Sequence, residues 1–367
     1  MTNDLLYQVA LTLIPQIGCV QARILVERLG SAEAIFRAKV QQLEKIEGIG
    51  TVRAKSIKTF SDFHRAEKEI NFIEKYKIHP LFISDPAYPQ RLLNCYDPPT
   101  ILYYRGNAVL NSSKIVAIIG TRSNTEYGRQ LTENLVNNLV SHQVLIVSGL
   151  AFGIDAIAHK TALKNKLPTV GVLAHGLDNI YPFQHCMLAK EIIKQDGGLV
   201  TEFGSSTKPD KHNFPTRNRI VAGMSDAIIV IESGTKGGSM VTAELGNGYN
   251  RDVFAFPGKV SDSKSTGCNF LIKNNKAILL TDADQLIQAM GWEEKKKTSS
   301  RKQKELFIQL SPEEKIITDI LREKEQTHID ELNLRSGLSS SSVASAILTL
   351  ELQLVIQCLP GKMYRLI

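Results

Sequence analysis

Residues 115–122 read Ile-Val-Ala-Ile-Ile-Gly-Thr-Arg, an apolar run that ends in a glycine and a basic residue. Five consecutive small or β-branched apolar residues are typical of a strand buried on both faces. The segment after it, Glu126–Val140, has helical spacing. The same alternation of apolar run, turn and helical segment continues to about residue 290. The pattern therefore predicts an α/β domain whose mainly parallel sheet is covered by helices on both faces.

Seven apolar runs in this region are candidate strands. They are Ile115–Ile119, Val144–Val147, Thr169–Leu173, Leu199–Phe203, Ala227–Ile231, Val253–Phe256 and Ala277–Leu280. Helical patterns such as Ile154–Lys164 and Leu188–Lys194 lie between most of them. Because ligands of parallel sheets bind outside the carboxyl ends of the strands, a functional site is expected just after these runs.

The regions on either side have different patterns. Residues 1–80 show short helical segments, and the chain from Pro80 to Pro99 is proline-rich and irregular. Residues 293–305 contain no apolar residue, which predicts a solvated linker. We therefore expect a helical module at 1–80, the α/β domain at 81–292, the linker at 293–305 and a small domain at 306–367.

Charge and composition narrow the function classes. The 367 residues include 44 basic and 37 acidic ones, giving a net charge of +7, which favours polyanionic partners. The apolar runs are far shorter than the ~20 residues of a membrane span, and the N-terminus lacks the basic region of a secretory signal. The five cysteines are scattered without a Cys-x-x-Cys pair, so neither a zinc site nor a disulfide framework is predicted. We expect a cytoplasmic protein without a membrane contact, metal or cofactor.

Glycine-rich turns follow three of the candidate strands. Glycine lets the backbone approach an anion, and the start of the following helix adds a partial positive charge. Three such turns at one sheet edge would line a phosphate-binding groove; alternatively, each glycine only makes a tight turn. The candidate binding residues in these turns are Gly120, Thr121, Arg122, Gly149, Gly153, Gly238, Ser239 and Thr242.

A second candidate is the basic stretch at residues 208–219. Its basic side chains could bind phosphates while Phe214 stacks on a base, the combination that single-stranded nucleic acid requires. The alternative is a solvated loop in which Phe214 is tucked into the core. The candidate residues are Lys211, Phe214, Arg217, Asn218 and Arg219.

Several enzyme signatures are missing from the sequence. It has neither a P-loop motif nor a Gly-x-Ser-x-Gly nucleophile elbow. Asp155 and His159 are four residues apart on a predicted helix, so they could share a face and bind a metal. With no third ligand in view, a capping aspartate and a packed histidine are favoured.

Near the N-terminus, residues 14–24 and 46–56 share a pattern of apolar residue, glycine-containing turn and helix with a basic residue. This resembles the helix-hairpin-helix motif, in which loop N–H groups contact a nucleic-acid phosphate without reading sequence. The first copy has Gln16 where the second has a glycine, which puts its phosphate contact in question. A purely packed helical module is the alternative.

The last segment has three helical patterns and a β-hairpin, which predicts a winged helix. Its third helix, expected at residues 339–350, contains no Lys or Arg, so its attraction to phosphates is weak. The pattern favours a protein-contact or accessory role. Lys362 and Arg365 in the wing are its phosphate candidates.

The ordered motifs of the middle region resemble the DNA-processing protein A (DprA/Smf) family. The resemblance covers residues 80–290 strongly and both ends more loosely. It rests on Val-Ala-Ile-Ile-Gly-Thr-Arg (116–122), residues 147–155 with His159, residues 176–178 with Tyr181-Pro182, Phe-Pro-Thr-Arg-Asn-Arg-Ile (214–220), residues 238–244, and residues 256–258 with 267–269.

The resemblance implies an extended Rossmann-like domain that binds single-stranded DNA without known catalysis. It also implies that the protein protects incoming DNA, loads the RecA recombinase during natural transformation, and forms a homodimer through this domain. By this resemblance, Arg122 would bind a phosphate. Residues 211 and 217–219 match the basic stretch of the family. Gly238, Ser239 and Thr242 match the family's second phosphate-binding loop. Some relatives carry a lysine where this chain has Phe183, so that contact is expected to be missing or replaced, with His185 as the candidate.

An enzyme is the competing class. The turn at residues 237–239 with Thr242 and Glu244 resembles nucleotide phosphoribohydrolases of related fold, in which a glycine-rich loop holds the phosphate and a glutamate assists glycosidic cleavage. A duplex-binding regulator that uses the winged helix is a third class, which the uncharged third helix disfavours.

Overall fold

The computed structural model describes residues 4–293 and 310–367. These residues fall into two compact units that divide between Leu279 and Leu280. The expected linker at 293–305 lies, apart from its first residue, outside the described residues. No helix in the described ranges is both long enough and apolar enough to cross a membrane.

The N-terminal region is a helical module, as predicted. Its helices are α1 (Asp4–Leu13), α2 (Cys19–Leu29), α3 (Ala32–Arg37), α4 (Val40–Glu44), α5 (Gly50–Thr59) and α6 (Phe63–Lys75). Leu11, Leu25 and Ile35 are fully buried in its core, and burial of a side chain of this size stabilises the fold by about 1.5–3 kcal/mol. The turns before α2 and α5 are alike at their first residues, since Gln16 and Gly48 have φ of 66° and 82°, but they differ two residues later, where Gly18 has φ −87° and Gly50 has φ 60°.

Arg53 joins these two turns. Its guanidinium donates hydrogen bonds to the carbonyls of Gln16 (3.2 Å) and Gly48 (2.9 Å). The paired hairpins are therefore tied together as one packed module. Gln16 has a left-handed backbone conformation, which residues other than glycine adopt rarely. The second copy has a glycine, Gly48, at the corresponding position.

The sheet of the first unit has nine strands. They are β1 (His79–Phe82), β2 (Ile101–Gly106), β3 (Ile115–Ile119), β4 (Leu145–Ser148), β5 (Thr169–Val172), β6 (Gly198–Thr201), β7 (Ala227–Val230), β8 (Asp252–Ala255) and β9 (Ile278–Leu279). Their order is β1-β2-β6-β5-β4-β3-β7-β8-β9. Seven neighbouring strands, β6-β5-β4-β3-β7-β8-β9, pair in parallel. Strands β1 and β2 extend the sheet beyond β6 with antiparallel pairing.

Strands β1 and β2 lie in or beside the stretch that the sequence indicates as irregular. Pro80 belongs to β1, the edge strand, where a missing N–H is tolerated. Phe82, Ile101 and Tyr103 from these strands are buried in the same core as α1–α6. The helical module and the sheet therefore share a core.

A polar contact also crosses from the module to the sheet region. Arg23 of α2 donates hydrogen bonds to the carbonyls of Leu93 (3.2 Å) and Cys95 (3.0 Å). It joins α2 to the segment between β1 and β2.

Helices cover both faces of the sheet, as predicted for a Rossmann-like domain. They are α7 (Gln90–Leu93), α8 (Glu126–Asn138), α9 (Ile154–Lys164), α10 (Cys186–Lys194), α11 (Asn213–Gly223), α12 (Gly238–Gly248) and α13 (Thr266–Lys273). Helix α8 packs beside α9, and α11 beside α12. The strand order reverses between β3 and β7, the point at which open α/β sheets form a ligand crevice.

The second unit contains the predicted winged helix. Its elements are α14 (Ala283–Ala289), α15 (Pro312–Arg322), β10 (Thr327–His328), α16 (Ile329–Ser336), α17 (Ser340–Leu352), β11 (Ile356–Leu359) and β12 (Met363–Leu366). Ser311 and Glu314 form a capping box at the start of α15. Ile317, Leu332 and Val343 are fully buried in a separate core. Helix α17 contains neither Lys nor Arg.

Candidate nucleic-acid interface

A groove opens at the carboxyl edge of the sheet, where the strand order reverses. Its inner part has a volume of about 300 Å³ and its outer part about 610 Å³. Arg122, Phe214 and Gly238 line both parts, so the two are continuous. The predicted residues that the structure brings together here are Gly120, Thr121, Arg122, Gly149, Lys211, Phe214, Arg217, Asn218, Gly238, Ser239 and Thr242.

The first turn, after β3, is held from below by Glu232. This side chain is 1% exposed. Its carboxylate accepts hydrogen bonds from the backbone N–H of Thr125 (2.9 Å) and from the Thr125 hydroxyl. The start of α8 therefore already faces an internal carboxylate, and the side chain of Arg122 is the group this turn offers to an anion.

The second turn, after β4, is held by Asp155. Its carboxylate accepts hydrogen bonds from the backbone N–H of Gly149 (3.1 Å) and Ala151 (3.4 Å). Burial raises the pKa of Asp155, and the nearby charge of Arg217 lowers it. His159 is packed with Nδ1 2.7 Å from the Thr169 hydroxyl, and burial lowers its pKa to about 3. His159 is thus packed, as the sequence favours. Asp155 is not the predicted helix cap: Gly153 is the N-cap of α9, and the Asp155 carboxylate holds the turn before the helix instead.

Gly153 lies behind the first turn and does not line the groove. A Cβ atom at this position would be 2.2 Å from the carbonyl oxygen of Thr121, and its φ is 76°. This glycine lets the first two turns pack together. Gly153 therefore serves the packing of the turns and does not bind an anion in the groove, which is the alternative that the sequence left open.

The third turn, after β7, presents the start of α12 to the groove. No carboxylate in the described ranges accepts a hydrogen bond from the first amides of this helix. The Ser239 hydroxyl is 2.7 Å from that of Ser233, and Thr242 donates to the carbonyl of Gly238 (2.9 Å). Helix α12 is therefore the helix start best placed to attract an anion.

Lys236 is a site residue that the sequence interpretation did not single out. It is exposed and lines the inner groove. The sequence could have indicated this residue, because a lysine inside a glycine-rich turn is a candidate for phosphate binding. Within residues 4–293 and 310–367, Arg122, Lys211 and Lys236 form no ion pair, so their charges are available to a ligand.

Phe214, at the start of α11, is half-buried at the groove and is not tucked into the core. The Arg122 guanidinium carbon lies 5.3 Å from the ring centroid of Phe214, within cation–π range. The Tyr181 ring lies 6.0 Å away on the outer side. Asn218 connects α11 to the third turn by donating to the Gly238 carbonyl (3.2 Å).

Arg217 forms the floor of the inner groove. It is 5% exposed, and its guanidinium donates to the carbonyls of Gly149 and Val172. Burial lowers the pKa of Arg217 to about 10, while Asp155 raises it, so the side chain is charged at neutral pH. Its position joins α11 to the ends of β4 and β5.

Of the three cations predicted as binding residues in the basic stretch, Arg219 is the one that the structure does not bring to the groove. Two residues on from Arg217, it leaves the opposite side of α11. It is buried, donates to the Glu202 carboxylate and the Asp97 carbonyl, and lies 3.9 Å from the Asp97 carboxylate. Its partners are internal, which gives it a structural role.

The glutamate of the enzyme alternative is also outside the groove. The Glu244 side chain is 60% exposed and lies 3.4 Å from Lys276 Nζ. It lines neither part of the groove. The geometry therefore gives no support to a hydrolase that uses this residue.

Comparison with known proteins identifies the family. The family model for DNA recombination-mediator protein A matches residues 79–291, more than half of the chain. The chain belongs to the DNA-processing protein A (DprA/Smf) family. A helix-hairpin-helix model matches residues 8–70, and a DprA winged-helix model matches residues 303–362.

Individual DprA relatives support the assignment. Protein Smf of Escherichia coli is 32% identical over 304 residues, covering 82% of this chain and 80% of that protein. The X-ray structure of DprA from Streptococcus pneumoniae has a TM-score of 0.66 at 31% identity and covers 78% of this chain and 97% of that one. A DprA structure from Helicobacter pylori, described for its single-stranded DNA binding mode, has a TM-score of 0.53 at 32% identity and covers 58% and 94%.

Proposed function

We propose that this DprA protein binds single-stranded DNA in the groove at the switch point of its sheet. The observation that carries the proposal is the exposed Arg122 guanidinium, which forms no ion pair among the described residues and lies beside the Phe214 ring at the mouth of the groove. A cation and an aromatic face side by side match one phosphate and one base of a flexible strand. Membership of a DNA-processing family agrees with this ligand.

The phosphate side of the proposed site consists of three exposed cations and one helix start. Arg122, Lys211 and Lys236 surround the groove, and the first turn of α12 adds partial positive charge. In the first two turns, by contrast, Glu232 and Asp155 already hold backbone amides. Phosphates are therefore expected along the line from Arg122 to α12, and not over α8 or α9.

The base side consists of the rings of Phe214 and Tyr181. Stacking on a ring requires a base whose face is free, whereas bases in a duplex are stacked on one another. Reading base edges requires an exposed helix or ribbon that enters a major groove, whereas the described residues that line this site surround a concave groove. Binding should therefore favour single strands and depend little on sequence.

We predict that a duplex competes poorly for this site. In a gel-shift competition with a labelled single strand, unlabelled single strands of different sequence should compete about equally. A duplex of equal length should require a much higher concentration. Equal competition by the duplex would contradict the proposed groove and would make the helix-hairpin-helix module or the winged helix the primary site.

We further propose that binding is the molecular function, without catalysis. The supporting observations are the position of Glu244 outside the groove and the internal hydrogen bonds of Glu232 and Asp155. Incubating the protein with nucleoside monophosphates should release no free base, and release would favour the phosphoribohydrolase alternative.

The cellular role is proposed from the family. We propose that the protein acts in the cytoplasm as a homodimer, protects incoming single strands and loads RecA recombinase during natural transformation. A RecA loading assay tests this role: RecA should assemble faster on strands coated by a single-strand-binding protein when this protein is present. Sedimentation at several concentrations tests the dimer.

The winged helix is proposed to be accessory to DNA binding. The winged helix has its own core, formed by described residues between Leu310 and Leu366. A chain that ends after Met290 should therefore stay folded and retain single-strand affinity within about threefold, because α17 contains no Lys or Arg and adds little phosphate attraction. A large loss of affinity in the shortened, folded protein would assign α17 or the wing to the primary site.

A further inference from the structure

A buried carboxylate of the helical module is directed at the sheet region. Glu69, on α6, is only 9% exposed. It lies on the helix face that also carries the buried residues Ala66 and Ile73. An acidic side chain at a core-facing position is costly unless it has hydrogen-bond or charged partners. The partners of Glu69 therefore indicate what this residue does in the fold.

The Glu69 carboxylate holds Ser205, which follows strand β6. It accepts hydrogen bonds from the Ser205 N–H at 2.9 and 3.0 Å and from the Ser205 hydroxyl at 2.6 Å. Gly204 allows this approach, since a Cβ atom there would be 3.3 Å from a carboxylate oxygen of Glu69. Hydrogen bonds to a carboxylate are stronger than those between neutral groups. One side chain of the helical module therefore fixes the chain at residue 205.

A second set of contacts fixes the next two residues to the turn after β5. Asp178 accepts a hydrogen bond from the Ser206 N–H (3.0 Å), and the Gly176 N–H donates to the Thr207 carbonyl (3.1 Å). Leu177, between these two partners, packs against the core that α1–α6 share with β1 and β2. Both sets of contacts therefore rest on the helical module, one directly and one through Leu177.

The segment fixed in this way leads to the outer groove. Residues 202–212 form neither helix nor strand, so side-chain contacts have a large part in setting their course. Pro209 and Lys211 line the outer groove a few residues beyond Ser205. Lys211 is exposed and is one of the three cations of the proposed site. The course of the chain before this cation is therefore set by the contacts at residues 205–207.

We propose that Glu69 is a positioning residue for single-stranded DNA: through Ser205 it holds Lys211 at the groove without touching the strand. The proposal rests on the proposed function and gives the helical module a part in it. It also reverses the effect expected from charge alone. Removing a negative charge should strengthen the binding of a polyanion, whereas removing the support of Lys211 should weaken it.

The test uses Glu69→Leu in the full-length protein and an oligodeoxythymidylate of about 20 nucleotides. Leucine keeps an apolar side chain at this position and removes both acceptor oxygens. Lys211→Ala should weaken binding about 10-fold through the loss of one charge-assisted contact, and Glu69→Leu about 3- to 10-fold. The slope of log K against log salt should fall by up to about 0.7 in both variants, because the same phosphate contact is lost.

A double-mutant cycle separates positioning from general damage to the fold. Glu69→Leu combined with Lys211→Ala should bind no more weakly than Lys211→Ala alone, because both changes remove the same contact. Lys236 lines the inner groove and not the outer one. Combining Glu69→Leu with Lys236→Ala should therefore multiply the two losses.

Three further variants complete the test. Glu67→Leu is the matched control, since it removes the same charge from the same helix at a side chain that is 59% exposed. Its affinity should stay within about twofold of wild type, because an exposed charge is screened by salt. Glu69→Gln keeps one acceptor oxygen and should recover most of the affinity. Ser205→Ala keeps the backbone N–H and should weaken binding about two- to threefold.

The failures of the two proposals can be distinguished. If Glu69→Leu folds and binds the strand as tightly as wild type or more tightly, Glu69 has no positioning role while the groove stands. If its loss multiplies with that of Lys211→Ala, the effect does not run through Lys211 and the proposal is overturned. If Glu69→Leu does not fold, Ser205→Ala decides by the same cycle, and wild-type affinity in that variant overturns the proposal. If the wild-type protein does not bind the strand, the proposed function itself is overturned.

Discussion

Replacing Arg217 with methionine should lower the free energy of unfolding by about 3 to 5 kcal/mol, the usual effect of removing one partner from a buried charged cluster. The guanidinium satisfies the carbonyls of Gly149 and Val172, and methionine can satisfy neither. Asp155 would keep a buried carboxylate without its neighbouring positive charge. The loss arises inside the fold, so it should appear without any DNA.

Urea unfolding followed by circular dichroism measures this loss. Arg129→Met is the control, because Arg129 is 55% exposed and, among the described residues, forms its ion pair with Glu133 on the surface of α8, so its loss should hardly change the free energy of unfolding. Adding Asp155→Asn to Arg217→Met should recover part of the loss, since the uncompensated charge is then gone. An Arg217→Met protein as stable as wild type would mean that the guanidinium serves the ligand and not the floor of the groove.

Arg122→Ala should weaken single-strand binding about 10- to 150-fold, the equivalent of a charge-assisted hydrogen bond worth roughly 1.5 to 3 kcal/mol. The salt slope of binding should fall by about 0.7, the value for one phosphate contact on a single strand. The melting temperature should not change, because Arg122 is exposed and forms no ion pair among the described residues, including none with Glu126.

Measuring affinity at several salt concentrations, together with the melting temperature, separates binding from a structural role. Arg129→Ala removes a neighbouring exposed arginine outside the groove and should leave affinity nearly unchanged. An unchanged salt slope in a normally folded Arg122→Ala protein would remove Arg122 from the binding site. A lowered melting temperature with an unchanged slope would assign it to holding the first turn.

The parallel sheet was predictable from sequence because each central strand is buried on both faces and so reads as an unbroken apolar run. The strands from β3 to β8 follow those runs within one or two residues. Strands β1 and β2 escaped because Pro80 and the prolines after it signal irregular chain. A proline on an edge strand looks the same in sequence as one in a loop.

The groove was predictable to the extent that its residues follow strands. All three glycine turns and α11 meet there because the topology brings the carboxyl ends of β3, β4 and β7 to one edge. The sequence does not show which polar groups already have hydrogen-bond or ion-pair partners inside the protein. Glu232 satisfies a turn more than 100 positions away, and Arg219 differs from Arg217 only in the side of α11 from which it leaves.

The core shared by the helical module and the β1–β2 edge has a consequence for how the protein withstands heat. Phe82, Ile101 and Tyr103 are covered by α1–α6, and Arg23 holds the chain between the two strands. Unfolding of the helices would expose the apolar side chains of β1 and β2 to water. The helical module and the sheet should therefore unfold in a single cooperative step. The hairpin module is therefore part of the scaffold, and it should unfold together with the sheet edge that it covers.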